Sequence, residues 1–408
     1  MTPSKSVALL VISGACVFLF GCHGNESENE VTPQPETILT LQVDADFYLT
    51  GDTWVFASDE NGEILDVKPY AQGQTVTLSS TRSLDKFNIT FFNYLEQSSG
   101  TIISFDTWMA INKGTALRYQ TKNAAMPIGP TKHATFKISN YTGILPSALA
   151  VGPYADVTAT DLVQNNLEMG VALFGITGNI TVTGYRAGIP VYNSVEGVEE
   201  GSVIERDYET DFIPFPHQYK LDFEGFNSAY ITGLDPANSL RQTLLNTDWL
   251  YNPTGHPVIG YIDGFDVYET LVVNSQVNGQ GNITHHTIGG APDFSFSMPT
   301  YTFSLNKKDM NNFSFNFSED YTYLSILWLN VTPTVSTVWM VYAPPGQPIT
   351  GLTIPNEIKT KYPQIDPAKL TYVATHFTRV IEGPTYLEMV PGMSRKSATL
   401  EEYLYSPN

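Results

Sequence analysis

Apolar and polar residues alternate with a period of two along most of the chain after residue 36. The alternation is clearest over residues 39–43, 87–91, 294–298 and 313–317. Because successive side chains of a strand point to opposite faces of a sheet, this pattern predicts strands with one buried and one solvated face. No long segment has the 3.6-residue period of a helix. The sequence therefore predicts an all-β fold with very little helix.

Turn signals and a change in regularity divide the alternating pattern into units. Residues 37–139 and residues 217–408 each contain several short alternating runs, so each is predicted to form an antiparallel, Ig-like β-sandwich. Residues 140–216 are less regular and contain Gly and Pro, and we expect a small second β unit or connector there. The predicted architecture is thus two or three antiparallel β-sandwich units.

Four local motifs make predictions at defined positions. The Asn-Gly pair at 61–62 predicts a hairpin turn, because both residue types tolerate a positive φ. Residues 173–182 have the pattern of a second hairpin. A short helix is predicted over residues 355–362, where a proline can occupy the first turn. The spacing of Thr399 and Glu402 is that of a capping box, which predicts a small second helix.

The first 22 residues depart from the alternation and indicate an export signal. One basic residue, Lys5, precedes an apolar stretch that is shorter than the ~20 residues required to span a membrane. This stretch ends in the sequence LFGC at residues 19–22. It resembles the lipobox of bacterial lipoproteins, which implies cleavage after Gly21 and attachment of lipid to the thiol of Cys22. On this resemblance residues 1–21 are a signal peptide, and lipid on the cysteine anchors the mature protein to a membrane.

Residues 22–36 form a polar, acidic stretch that contains two prolines. Such a composition has nothing to bury, so the stretch is predicted to be a disordered tether. Acidic residues directly after the lipidated cysteine resemble the surface-export signal of Bacteroidetes-type lipoproteins, many of which have no assigned function. The resemblance implies an outer-membrane lipoprotein displayed on the cell surface. An anchor that faces the periplasm is the alternative.

Charge and cysteine content limit the possible partners. Removal of residues 1–21 takes away Lys5 and no acid, which leaves 20 basic and 41 acidic residues and a formal net charge of −21. This surplus disfavours nucleic acid, because its binding requires cations that neutralise phosphates. Cys16 leaves with the signal and Cys22 is predicted to carry lipid. The folded part therefore has no thiol for a disulfide, for catalysis or for a metal.

The candidate catalytic and metal-binding residues have simpler explanations. Asp263 and Asp266 are the only pair that could supply the two carboxyl groups of a glycosidase, but Asp and Gly are also common turn residues. His285 and His286 are adjacent, so a strand would point them to opposite faces. The acidic run 196–211 lacks the register of a calcium loop. We therefore predict no catalytic residue, no cofactor and no metal site.

The aromatic residues are the better candidates for binding. Three tryptophans lie in apolar strands and are predicted to be core residues: Trp54, Trp328 and Trp339. Trp108, Trp249 and Tyr251 lie in mixed surroundings, and aromatic side chains offer a large contact area at low entropic cost. The sequence thus favours a lipid-anchored protein that binds a glycan or a protein without catalysis. A structural subunit of an envelope or surface-fibre assembly is the second hypothesis, and a secreted glycan hydrolase is the third.

Overall fold

The computed structural model describes residues 34–119, 132–143, 149–151, 155–173, 178–221, 226–235, 238–247, 258–275, 281–296, 300–390 and 398–406. Over these residues the protein is nearly all β, which confirms the predicted fold class. The single α-helix of the described part, α1 (Asn356–Lys361), has Pro355 at its N-cap, so the predicted short helix is also confirmed. None of the helical segments described is long and apolar enough to cross a membrane.

The N-terminal strands form two facing layers. Their bounds are β1 (Glu36–Val43), β2 (Asp52–Ser58), β3 (Ile64–Pro69), β4 (Thr75–Ser80), β5 (Lys86–Gln97), β6 (Gly100–Asn112) and β7 (Thr115–Tyr119). The sheet β4-β1-β7 packs on the strands β3-β2-β5-β6 through buried residues such as Leu41, Leu78, Val55 and Ile89. The hairpin predicted at 61–62 is confirmed, because β2 and β3 pair antiparallel on either side of the turn.

The middle strands form a second sandwich, apart from the last of them, β16, which belongs to neither of its sheets. Their bounds are β8 (Lys132–Ser139), β9 (Leu149–Val151), β10 (Ala155–Val163), β11 (Asn166–Leu173), β12 (Gly178–Arg186), β13 (Ile189–Val198), β14 (Val203–Asp207), β15 (Ile213–Pro214) and β16 (His217–Lys220). Two sheets, β10-β11-β8-β14 and β15-β13-β12-β9, enclose a core that includes Phe136, Met169 and Val182. The hairpin predicted over 173–182 is wrong. β11 and β12 belong to different sheets and face each other across this core. Two strands in this arrangement show the same alternation of apolar and polar residues as two paired strands of a hairpin.

The remaining strands complete a large sheet, except for three that belong to two-stranded sheets outside it. Their bounds are β17 (Phe226–Asp235), β18 (Asn238–Thr247), β19 (Val258–Tyr261), β20 (Val267–Ser275), β21 (Gly281–Gly289), β22 (Phe303–Asp309), β23 (Asn312–Phe317), β24 (Tyr323–Val331), β25 (Val335–Ala343), β26 (Thr371–Glu382) and β27 (Ala398–Tyr405). The helix predicted from Thr399 and Glu402 is wrong, because both residues lie in β27. That strand pairs with β21 on one side and β26 on the other, and Tyr403 is buried in the core. Pairing on both sides and burial outweigh the local capping signal.

Twelve described strands make one sheet in the order β18-β17-β20-β21-β27-β26-β24-β25-β6-β5-β2-β3. The ranges 37–139 and 217–408 therefore share a hydrogen-bonded sheet, which they join through the parallel pair β25 and β6. Trp328 and Trp339 are each 1% exposed, which confirms their predicted place in the core, and half-buried Trp54 packs against the same cluster. The division of the chain into domains stays a prediction.

The two faces of this sheet differ in what covers them. Face A is the side that carries Trp339 and Phe377. It is covered by the hairpin β22–β23, by Ile349 in the chain before α1, and by Ile358 in α1. Face B is the opposite side. Towards β6 and β5 it is covered by the sheet β4-β1-β7, with which it shares the buried cluster around Trp108.

Candidate functional site

Most of the residues predicted to act in binding or anchoring lie outside the described residues. These are the lipidation residue Cys22, the cleavage residue Gly21, and the aromatic candidates Trp249 and Tyr251. Their roles stay predictions. The fifth candidate, Trp108, is described and can be placed.

Trp108 lies on face B in β6 and is 5% exposed. Its indole stacks on the ring of Tyr342, with 4.1 Å between the ring centroids and 12° between their planes. The parallel pairing of β25 with β6 places these two residues opposite each other. A ligand could therefore contact almost none of the surface of this indole.

The carboxyl pair named from the sequence lies on the loop before β20. Asp263 is 80% exposed at its side chain, and Asp266 is also exposed. The carboxylate of Asp263 accepts hydrogen bonds from Nε2 of His217, at 2.9 and 3.0 Å. The two carboxyl groups are open to solvent, whereas a glycosidase holds its pair across a substrate cleft.

The adjacent histidines point to opposite faces of β21, as predicted. His285 is 6% exposed and stacks on Phe296 with 3.7 Å between ring centroids. Burial lowers its pKa, so the ring is neutral near pH 7. His286, on the other face, lies with Nε2 2.9 Å from Glu269. No group of three His, Cys, Asp or Glu side chains in the described part of the chain is placed to hold a metal ion.

Polar residues on the middle of face B are arranged in pairs. Glu269 pairs with His286 across β20 and β21, and Nε2 of His376 lies 3.6 Å from Glu402 across β26 and β27. The register sets these four residues on a diagonal across four neighbouring strands. Each carboxylate thus has an imidazole beside it.

A row of aromatic rings in contact, stacked at one end and tilted at the other, lies beside the antiparallel pair of strands β16 and β19, and we call it the Tyr219 strip. It consists of His217, Tyr261, Tyr219, Phe294 and Phe296. The centroid distances between successive rings are 4.6, 6.2, 4.8 and 6.5 Å. All members except buried Tyr261 are half-buried, so the strip is anchored in the core while parts of four rings reach solvent.

The local sequence explains how the strip is held. His217 and Tyr219 are two apart in β16, so they share one face of the strand. His217 lies directly opposite Tyr261 in β19. Gly260 leaves room for the ring of Phe215 beneath the strip, since a Cβ there would lie 2.6 Å from that side chain.

Polar groups border the strip at both ends. Asp263 lies at the His217 end, and exposed Asp293 precedes Phe294 at the other. Hydrogen bonds from Ser295 lower the pKa of Asp293, which keeps its carboxylate charged. Burial raises the pKa of Tyr261 to about 12, so its hydroxyl keeps its proton. The strip therefore combines ring surfaces with hydrogen-bond acceptors.

The strip was not predicted from the sequence. The alternation of Phe294 and Phe296 indicates only a core strand, and its other members come from separate segments. The alternating aromatic residues of β16, His217 and Tyr219, were the one local signal available. No family model, no curated protein and no solved structure matches this chain. Arguments about function therefore rest on the fold and on these sites.

Proposed function

We propose that the protein is a lipid-anchored protein of the outer membrane, displayed at the cell surface, that binds a glycan through the Tyr219 strip without catalysis. The strip is the observation that supports this function. Binding sites for small molecules are lined mainly by apolar and aromatic side chains with a few polar groups that fix orientation. A row of aromatic rings bordered by Asp263 and Asp293 fits that description, because rings can pack on sugar faces while carboxylates accept hydrogen bonds from sugar hydroxyls.

A structural subunit is the second candidate function, and the edges of the middle sandwich favour it. β14 pairs only with β8 among the described strands, and Val203 in β14 is 57% exposed. Val163 at the end of edge strand β10 is 61% exposed. An unpaired edge with exposed apolar side chains can accept a strand from a neighbouring molecule. The hydrolase hypothesis has no comparable support, since its carboxyl pair lies on an open loop.

Substitution in the strip should weaken glycan binding. The variants Tyr219→Ala and Phe294→Ala each remove one ring, and we expect each to reduce affinity about tenfold, equivalent to roughly 1.4 kcal/mol. The measurement is a glycan-array screen of the full chain in detergent, followed by affinity electrophoresis with the bound glycan. Tyr48→Ala is the control, because Tyr48 is 82% exposed and lies outside the strip.

Two outcomes would contradict glycan binding at the strip. The wild-type protein could bind no glycan on the array, or the Tyr48→Ala variant could lose as much affinity as the strip variants. Binding to a protein partner that is lost in Tyr219→Ala would instead assign the strip to protein recognition.

Surface display is tested on intact cells. An impermeant protease should remove the protein while a periplasmic marker stays intact, and Cys22→Ser should release the chain from the membrane fraction. Immunoblotting measures both effects. A band that survives the protease would place the protein on the periplasmic side, and a Cys22→Ser variant that stays membrane-bound would contradict the lipid anchor.

A further inference from the structure

Asp106 is a charged residue in an otherwise apolar stretch of β6. Its side chain lies on face B, the side that also carries Trp108 and Tyr342. Its cross-strand neighbours are Phe91 on β5 and Met340 on β25. The side chain is half-buried, so solvent still reaches it. A single acidic side chain thus lies among large apolar groups and remains partly accessible to solvent.

The charge of Asp106 has no counter-ion in the described part of the chain. Its carboxylate makes no hydrogen bond and no ion pair there, and burial raises its pKa to about 6. The Glu269–His286 and Glu402–His376 pairs on the same face show the contrasting arrangement. Arg118, which precedes Tyr119 in β7, is held by Asp44 through hydrogen bonds of 2.9 and 3.3 Å. An acid buried without a partner costs free energy.

Aromatic rings lie on both sides of this carboxylate. Tyr70, Tyr119 and Phe91 pack together on one side, with centroid distances of 5.6 to 6.4 Å. Stacked Trp108 and Tyr342 lie on the other. Burial raises the pKa of Tyr70, Tyr119 and Tyr342, and the negative charge of Asp106 raises each further, so all three lie within its electrostatic reach.

We propose that Asp106 and the surrounding rings form a binding site for an alkylammonium group. Such a group would supply a positive charge to Asp106, and its methylene or methyl groups would pack on the half-buried rings of Tyr119 and Tyr342. Aromatic faces attract cations through their quadrupole, and carboxylate-bearing aromatic cages suit both lysine and quaternary ammonium groups. The site is separate from the Tyr219 strip and does not depend on glycan binding there.

The experiment is isothermal titration calorimetry on the full chain at pH 7.5 with two probes. N-acetyl-lysine methylamide represents the side chain of a protein partner, and tetramethylammonium represents a quaternary ammonium ligand. N-acetyl-norleucine methylamide is the uncharged reference. We expect saturable binding of at least one cationic probe, and which one binds identifies the source. Asp106→Asn should weaken that binding at least tenfold, whereas Asp320→Asn, at an exposed acid, should not change it.

A second variant supplies the cation from within the protein. Met340 lies opposite Asp106, so Met340→Lys should place an ammonium group at the carboxylate. This variant should bind neither cationic probe and should unfold at a higher temperature than the wild type. An unchanged far-ultraviolet circular dichroism spectrum for Asp106→Asn and Met340→Lys would show that both variants are folded. Equal affinity for the cationic and norleucine probes, or equal affinity of wild type and Asp106→Asn, would overturn the proposal.

Discussion

Trp339→Ala should lower the free energy of unfolding by about 4 kcal/mol, within the usual range for removal of a buried aromatic ring. The indole is 1% exposed and stacks on Phe105 with 4.4 Å between centroids. Its Nε1 donates a hydrogen bond of 2.9 Å to Oγ1 of Thr107, so the substitution also leaves a buried hydroxyl with one partner fewer. Urea denaturation followed by circular dichroism measures the loss.

Trp54→Ala is the matched control for this experiment. Trp54 packs against the same buried cluster but is only half-buried, so its replacement removes less buried surface and should cost about half as much. An equal loss for the two variants would contradict the expectation that the deeper burial of Trp339 makes its ring the larger contributor to stability. Because the residue type and the substitution are the same in both variants, the comparison isolates the effect of where each tryptophan lies in the fold.

Asp106→Asn should raise the free energy of unfolding by about 3 kcal/mol at pH 7.5. The pKa of this acid is about 6 in the folded state and 3.8 in a free side chain, so the folded protein binds its proton more tightly. As the pH rises from about 4 to 6, the unfolded state gives up the proton first and the wild type loses stability. A difference of about two pKa units corresponds to about 3 kcal/mol, and asparagine avoids this cost.

The pH dependence distinguishes this effect from a general change in packing. The advantage of Asp106→Asn should be complete above pH 6 to 7 and should shrink towards pH 4, because only below that pH does the wild-type acid become mainly protonated in both states. Urea denaturation at pH 4.5 and 7.5 measures it, with Asp320→Asn as the control that should stay near zero at both values. A gain of equal size at both pH values would contradict the assignment of the cost to the charge.

A stabilising Asp106→Asn substitution would bear on the proposed ammonium site. Residues that serve binding often lower stability, because a site prepared for a ligand holds groups that only the ligand satisfies. The charge should then stabilise the complex while it destabilises the free protein. The two measurements on Asp106→Asn, affinity and stability, should therefore change in opposite directions.

Local structure was predicted well from the sequence where the cause is local. The period-two alternation predicted strands such as β5 and β23, and the Asn-Gly turn and the proline before α1 determine conformation within a few residues. Strand partners cannot be found in this way. Alternation shows which side of a strand is buried, but not that β25 pairs with β6, which is more than 200 residues earlier in the chain.

The candidate sites depend on the same long-range pairing. Trp108 was predicted to be a possible surface aromatic residue, and its burial follows from the approach of Tyr342 on β25. Asp106 was visible in the sequence as a charge beside Trp108 in mixed surroundings. That no described residue supplies a counter-ion could be recognised only once the rings from β5, β7 and β25 had been placed around it. Likewise, the Tyr219 strip joins rings from three separate segments of the chain.

The position of β27 has a consequence for how the chain folds. This strand lies between β21 and β26 inside the large sheet, although it follows every other described strand in the sequence. During synthesis, the edges of β21 and β26 that pair with β27 therefore stay unpaired until β27 has been synthesised. Long-range pairing of this kind slows folding, and open edges favour aggregation in the interval. The large sheet can be completed only after synthesis has passed residue 405, so this protein cannot finish folding one segment at a time.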